Sequence, residues 1–299
     1  MAATTTEIGF VGLGHMGGGM AARLLEAGHR LCGTDLDRGH ARELVDAGLR
    51  WLDTPRQVAE TADVVFTSLP NDHVLETVAG GEDGILAGVD AATTWVDVST
   101  ISPRLSRDLA ARTRRQGAAM LDAPVSGSVP QVRSGTLTIM VGGDAEAYAR
   151  VEPILRELGT PTHVGQNGHG EVLKLAINIS LGVQMLALAE GLLLAERAGL
   201  DAKLALHVMT SSSIGSPMLK AREQLVLDLP EDAWFDIGFM RKDIELALEE
   251  ARELGVPLPT AGCADEVLQT AGRLGYEHRD LAALFEVLKR MEPLPAGAG

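Results

Sequence analysis

Between residues 7 and 164 short β-branched runs alternate with amphipathic helical segments, whereas beyond Gly168 strand signals stop and apolar residues recur at helical spacing almost to the end. The first pattern predicts a parallel sheet with helices on both faces, and the second predicts an all-helical region. Candidate strands are 8–11, 30–34, 64–68, 94–98, 119–122, 137–141 and 162–164. Helix starts are marked by Thr54-Pro55-Arg56-Gln57 and by Ser102-Pro103, each with a capping hydroxyl followed by proline at the first helical position. The longest helix, 171–198, would run roughly 40 Å at ~1.5 Å per residue, enough to leave the first domain and become the spine of the second. Gly199 ends it, and Asp201 caps the next. Further helices are expected at 203–211, 217–227, 237–254, 260–274 and 281–291, and the tail from Glu292 is expected to fray.

The composition narrows the class. With 299 residues, 45% hydrophobic and 22% charged, the chain is expected to be globular, and its length suits two domains. A net charge of −15 repels nucleic-acid phosphates and anionic lipid, so neither is an expected partner. Met1 to Glu7 shows no secretory pattern, and the apolar stretch 175–189, interrupted by Asn178 and Gln184, is read as a buried helix and not as a membrane span. Cys32 and Cys263 lack metal-ligand spacing and sit in apolar contexts, so both are read as reduced core residues of a cytoplasmic protein. The eight histidines form no cluster with acids, so no metal site is expected.

Strand 8–11 leads directly into Gly12-Leu13-Gly14-His15-Met16-Gly17, and a helix carrying Met20, Leu24 and Leu25 on one face follows. GxGxxG placed between strand and helix is a strong dinucleotide signal. Gly12 permits the tight turn, Gly14 lets backbone approach a pyrophosphate, Gly17 lets helix pack on strand, and the helix N-terminus offers N–H groups to phosphate. Asp35 stands at the end of the second strand, about 20 residues on, where a carboxylate accepts from the adenosine ribose and repels a 2′-phosphate. NAD is therefore expected over NADP, with Arg38 as the residue that would partly offset the repulsion.

The motifs together resemble one family along nearly the whole chain, the β-hydroxyacid dehydrogenases that include 3-hydroxyisobutyrate dehydrogenase and tartronate semialdehyde reductase. The matching segments are Gly9 to Gly17, Asp97-Val98-Ser99-Thr100-Ile101-Ser102-Pro103, Asp122-Ala123-Pro124-Val125-Ser126-Gly127, Gly135 to Gly143, Gly168-His169-Gly170-Glu171-Val172-Leu173-Lys174, and Lys242-Asp243. The resemblance implies an α/β Rossmann domain, here 1–165, followed by an all-α domain, 166–299, built on a long interdomain helix, with substrate in the cleft between them. It also implies reversible oxidation of a small 3-hydroxy acid to its semialdehyde or keto acid.

Hydride transfer requires a group that takes or returns the hydroxyl proton, and donors that hold an anionic carboxylate. Lys174 suits the first role: it falls near a helix N-terminus, whose positive end disfavours an ammonium, and burial would disfavour it further. Asn178, four residues on, shares its helix face and is its polar partner. Ser126, Gly127 and Ser128 follow a strand at the C-terminal edge of the sheet, where they would hold the substrate carboxylate. By resemblance Thr100 lies near the nicotinamide, Leu69 and Pro70 under the cofactor's ribose region, and Lys242 over the cofactor, while Asp243 is structural.

Four positions depart from the family's usual residues: Ser128, Gln131, Val132 and Ile177. Each is expected to add bulk or remove polarity near the pocket, which leaves the identity of the acid open. Ile177 stands where the related 6-phosphogluconate dehydrogenases carry histidine, so that activity is disfavoured. Imine reductases look similar at the dinucleotide end but generally lack the lysine, and a non-catalytic NAD-binding regulator would have no use for a proton-transfer pair. The apolar face of the long helix around Met185, Leu186, Leu188, Leu192 and Leu193 is read as core or subunit contact, making a homo-oligomer, dimer or tetramer, plausible.

Overall fold

The computed structural model describes residues 6–291, so the tail expected to fray lies outside the described residues. The chain divides into two compact units, Met1–Leu175 and Ala176–Gly299.

Among the described residues the first unit holds nine strands: β1 Glu7–Val11, β2 Arg30–Thr34, β3 Arg50–Trp51, β4 Val64–Thr67, β5 Thr94–Asp97, β6 Ala119–Asp122, β7 Val125–Ser126, β8 Leu137–Gly143 and β9 Gly159–Gly165. Their order is β3-β2-β1-β4-β5-β6-β8-β7, with β9 on β8. The strands from β3 to β6 are parallel to their neighbours. Period-two alternation sends Phe10, Phe66, Val96 and Leu121 to one face, where Met20 and Leu24 of helix His15–Glu26 and Val151 and Leu155 of helix Ala145–Leu158 cover them. Val11, Val65, Trp95 and Met120 go to the other face, beneath Val58 of helix Pro55–Thr61 and Leu109 of helix Pro103–Arg115. Strand order reverses on either side of β1, which leaves a crevice outside the carboxyl ends of the strands, where such sheets take ligands.

Three features differ from the sequence reading. β3 and β7 were not expected, because two residues carry no periodicity. The sheet is not wholly parallel, since β8 runs antiparallel to β6 and β7. The link from β6 to β8 carries β7 and helix Val129–Ser134, and β8 returns antiparallel to both β6 and β7.

The marked caps form as chemistry requires. Thr54 accepts from the Gln57 N–H at 3.2 Å and Ser102 from the Leu105 N–H at 3.1 Å. The Gln57 side chain accepts from Asp53 N–H instead of the cap's own, one residue off a full capping box.

The second unit contains most of the long helix His169–Arg197 and then helices Ala202–Ser211, Pro217–Leu227, Ile237–Leu254, Pro259–Arg273 and Leu284–Arg290. Gly199 ends the long helix with φ +93°, and Asp201 caps the next by accepting from Leu204 N–H at 2.8 Å. By length and hydropathy alone the long helix could cross a membrane. Its Met185, Leu188, Ala189 and Leu192 instead pack with Leu206, Leu219, Met240, Ile244 and Phe285 in the core of this unit.

The cysteines behave differently from each other. Cys32 is buried in β2, and burial pushes its thiol up to about 11. Cys263, expected in the core, is exposed: helix Pro259–Arg273 buries Ala261, Ala264, Leu268 and Ala271, and position 263 falls off that face. Alkylation of the native protein near pH 8 is therefore expected to modify one thiol per chain, and none in a Cys263→Ser variant. Rapid modification of both thiols without denaturant would contradict the burial of Cys32.

Candidate functional site

The glycine loop is shaped by close contacts. Gly12 has φ +92°, and a Cβ there would lie 2.4 Å from the Ser68 carbonyl oxygen. A Cβ on Gly17 would lie 2.1 Å from the Gly12 oxygen, so a side chain there would separate helix from loop. A Cβ on Gly14 would meet nothing within 4 Å, so space opens above that residue. Helix His15–Glu26 begins with no side-chain cap and no acid in its first turn. Its leading N–H groups and dipole are therefore set out for an anion, which is what a dinucleotide's pyrophosphate supplies. His15 is exposed and Met16 half-buried at this end.

Asp35 ends just past β2, with its side chain 12% exposed. Oδ2 accepts from the Leu13 N–H at 2.6 Å, and Oδ1 from the Asp37 N–H at 2.8 Å, with His40 Nδ1 3.2 Å away. The carboxylate is thus tied to the glycine loop and held at the loop's edge. Arg38 lies 5.2 Å above the Trp51 ring.

Beyond β4 and β5 a buried carboxylate arranges two loops. Asp97 Oδ1 accepts from Thr67 Oγ1 and Ser99 Oγ, each at 2.6 Å, and the Ser99 Oγ accepts from Leu69 N–H at 2.9 Å. Leu69, next to exposed Pro70, faces Gly12, and Thr100 follows Ser99 directly. Asp97 Oδ2 has no hydrogen-bond partner among the described residues. Desolvation pushes Asp97 up to about 6, and Asp122, its partner across β5 and β6, adds to the rise.

Asp122 is also wholly buried and sits against the start of the long helix. It accepts from Gly168 N–H at 2.8 Å, Glu171 N–H at 3.3 Å and the Asn167 amide at 3.4 Å. Burial raises its pKa, and backbone donors, the Gly168 and Glu171 N–H groups among them, oppose the rise. One turn on comes Lys174, 9% exposed, and after a further turn Asn178, 1% exposed. Asn178 Nδ2 donates to Asp243 Oδ2, and Lys242 Nζ lies 3.0 Å from Asp243 Oδ1. Asp243, read from sequence as structural, thus joins the two side chains on which the second unit's expected roles rest.

Ser126 ends β7, and Gly127 takes φ +135°. Ser128 caps helix Val129–Ser134: its N–H and Oγ both donate to Gln131 Oε1, at 2.9 and 3.1 Å. The sequence reading missed this pairing, although Ser128-Val129-Pro130-Gln131 has the spacing of a capping box. Val132 is a core residue, 1% exposed and packed where a Cβ on Gly19 would lie 2.8 Å from it. Ile177 is half-buried. Asp97, Asp122 and Glu171 lay inside quoted motifs but carried no expected role. Their signal was an acid at the end of an apolar strand or inside a buried helix turn, which costs free energy unless paired.

Residues 7–168 match the model of the NAD binding domain of 6-phosphogluconate dehydrogenase, and residues 168–288 match that of the NAD-binding domain of NADP-dependent 3-hydroxyisobutyrate dehydrogenase. The chain is 37% identical to 3-hydroxyisobutyrate dehydrogenase of Pseudomonas aeruginosa, covering 92% of this chain and 95% of that one. It is 34% identical to 2-(hydroxymethyl)glutarate dehydrogenase of Eubacterium barkeri, covering 98% of both. The solved structure of Mycobacterium tuberculosis 3-hydroxyisobutyrate dehydrogenase with L-serine aligns with TM-score 0.82 and 30% identity over 96% of this chain and 100% of that one. The chain belongs to the β-hydroxyacid dehydrogenase family of the 3-hydroxyisobutyrate dehydrogenase type, and it is an oxidoreductase with an NAD(P)-binding Rossmann domain followed by a helical domain.

Asp97 makes stability depend on pH in a definite direction. Its folded pKa of about 6 lies above the unfolded value of about 4, so the native state binds this proton more readily between them. The stabilisation is full below about pH 4 and is lost as pH rises through 6, after which the buried carboxylate costs about 3 kcal/mol. Asp97→Asn keeps an acceptor for Thr67 and Ser99 and removes the charge. Its stability relative to wild type should be more favourable at pH 8 than at pH 4.5 by about 2 kcal/mol in urea melts; an equal difference at both values would contradict the assignment.

Proposed function

We propose that the protein is an NAD-dependent dehydrogenase interconverting a small 3-hydroxy acid and its semialdehyde or keto acid, with Lys174 as general acid and base. The observation that carries this reading is the buried pair Lys174 and Asn178, four residues apart on the long helix, in the turns after Asp122 anchors its start. A lysine and an amide buried together on one helix suit a proton-transfer role, and a pure binding protein has no need of such a pair.

When bound, the nicotinamide accepts or returns the hydride. Lys174 takes the hydroxyl proton in oxidation and gives it back in reduction. Asp243 fixes the orientation of the Asn178 amide and holds Lys242 beside it, so neither side chain pays for ordering during the reaction. Ser126 and the Gly127 N–H are assigned the substrate carboxylate; Ser128 contributes less than its position suggests, because Gln131 already occupies its N–H and hydroxyl. The dinucleotide is assigned to Gly12, Leu13, Gly14, His15, Met16, Gly17, Asp35, Leu69, Pro70, Thr100 and Lys242.

NAD is favoured over NADP because the Asp35 carboxylate stands where a 2′-phosphate would bring like charge, and Arg38 is stacked on Trp51. Exposed Leu194, Leu204 and Val208 on neighbouring helices support association into a homo-oligomer.

Turnover is tested with 3-hydroxyisobutyrate, glycerate, 3-hydroxypropionate, L-serine and 2-(hydroxymethyl)glutarate by absorbance of reduced nicotinamide. Oxidation of at least one is expected, and turnover of none would favour a regulator. Lys174→Ala should lower kcat by about 10²–10⁴-fold with NADH affinity preserved, and an unaltered rate would remove the proton-transfer role. Asp35→Ala should shift the preference for NADH over NADPH by about 10–100-fold, since a charged contact of ~1.5–3 kcal/mol is lost. An unchanged ratio would show that specificity lies elsewhere.

A further inference from the structure

We propose that Glu171 is a positioning residue for the hydride-transfer step, a strut that holds the Thr100 loop at a fixed distance from the turn bearing Lys174. This deepens the reading above and rests on it. Glu171 is wholly buried, and its Oε2 accepts from the Ile101 N–H at 3.2 Å across 70 residues of sequence. Its own N–H donates to Asp122 Oδ2, so its backbone is fixed to the end of β6 and its side chain to the loop after β5. Glu171, Lys174 and Asn178 follow the i, i+3, i+7 pattern and share one helix face.

Thr100 is bracketed by carboxylates. Asp97 accepts from Ser99 on one side, Glu171 from Ile101 on the other, and Asp72 from the Ser102 N–H at 2.9 Å just beyond. Asp97 and Asp72 belong to the sheet and to the helix after β4, so they fix the loop to its own surroundings. Glu171 alone of the three reaches it from the long helix. Ile101 is itself wholly buried, so without this acceptor its N–H would lose its partner away from water. An apolar side chain would fill the same space without the cost of burying a carboxylate; the need for an acceptor accounts for a side-chain oxygen there. Misplacement of reacting groups by about 1 Å costs on the order of 10²-fold in rate, which gives such a strut its kinetic weight.

The test compares wild type with Glu171→Gln, which keeps an acceptor, and Glu171→Met, which keeps the volume and loses it. The Met variant should show kcat reduced about 10–100-fold with KM for NAD and hydroxy acid within about threefold, and the Gln variant should keep kcat within about threefold. Hydrogen exchange at the Ile101 amide should be about tenfold faster in Glu171→Met and unchanged in Glu171→Gln. Wild-type kcat or wild-type Ile101 exchange in the Met variant would overturn the proposal. So would a Gln variant as impaired as the Met variant, since charge and not the acceptor would then matter. Should wild type turn over none of the acids, the proposed function fails, and the exchange comparison still decides the strut.

Discussion

The carboxylate of Asp122 receiving the N–H groups at the start of the long helix is the contact on which the rest of the site depends. Those groups have no partners within the helix, and a buried helix end without acceptors would be strongly disfavoured. Each charge-assisted bond contributes about 1.5–3 kcal/mol, and the helix dipole adds to the attraction. Because Asp122 sits at the carboxyl end of β6, the first turn of the helix is indexed to the sheet. Glu171, and one turn later Lys174, take their positions from that anchor.

The same neighbourhood works against global stability. Asp97, Asp122 and Glu171 are all buried acids, and desolvation raises the pKa of both strand-end aspartates. Two like charges at paired positions of β5 and β6 add to the cost. Functional sites commonly keep such arrangements because oriented polar groups cannot be replaced by apolar packing. Here the acids organise backbone: Asp97 the loops after β4 and β5, Asp122 the start of the long helix, and Asp35 the glycine loop.

Much of this was legible in the sequence, and the reasons differ by element. β2 and β6 and the helices Pro217–Leu227 and Ile237–Leu254 follow from periodicity and bounding residues, because local apolar spacing determines which face is buried. The caps at Thr54, Ser102 and Asp201 follow from side-chain reach over three residues. What escaped was tertiary or too short for a period: β3, β7 and the antiparallel return of β8. Cys263 shows that an apolar neighbourhood in sequence does not say which way a residue faces. The bonds from Glu171 to Ile101 and from Asp122 to Gly168 join distant parts of the chain, and no spacing rule announces them.

The central claim is that the amine at position 174 carries the proton that accompanies the hydride. Chemical rescue tests it most directly: small primary amines of graded basicity are added to Lys174→Ala and the rate of nicotinamide reduction is followed. Turnover should return, and its logarithm should change regularly with amine pKa, as proton transfer by an external base requires. A variant that no amine accelerates, while its pH profile matches that of the intact enzyme, would contradict it.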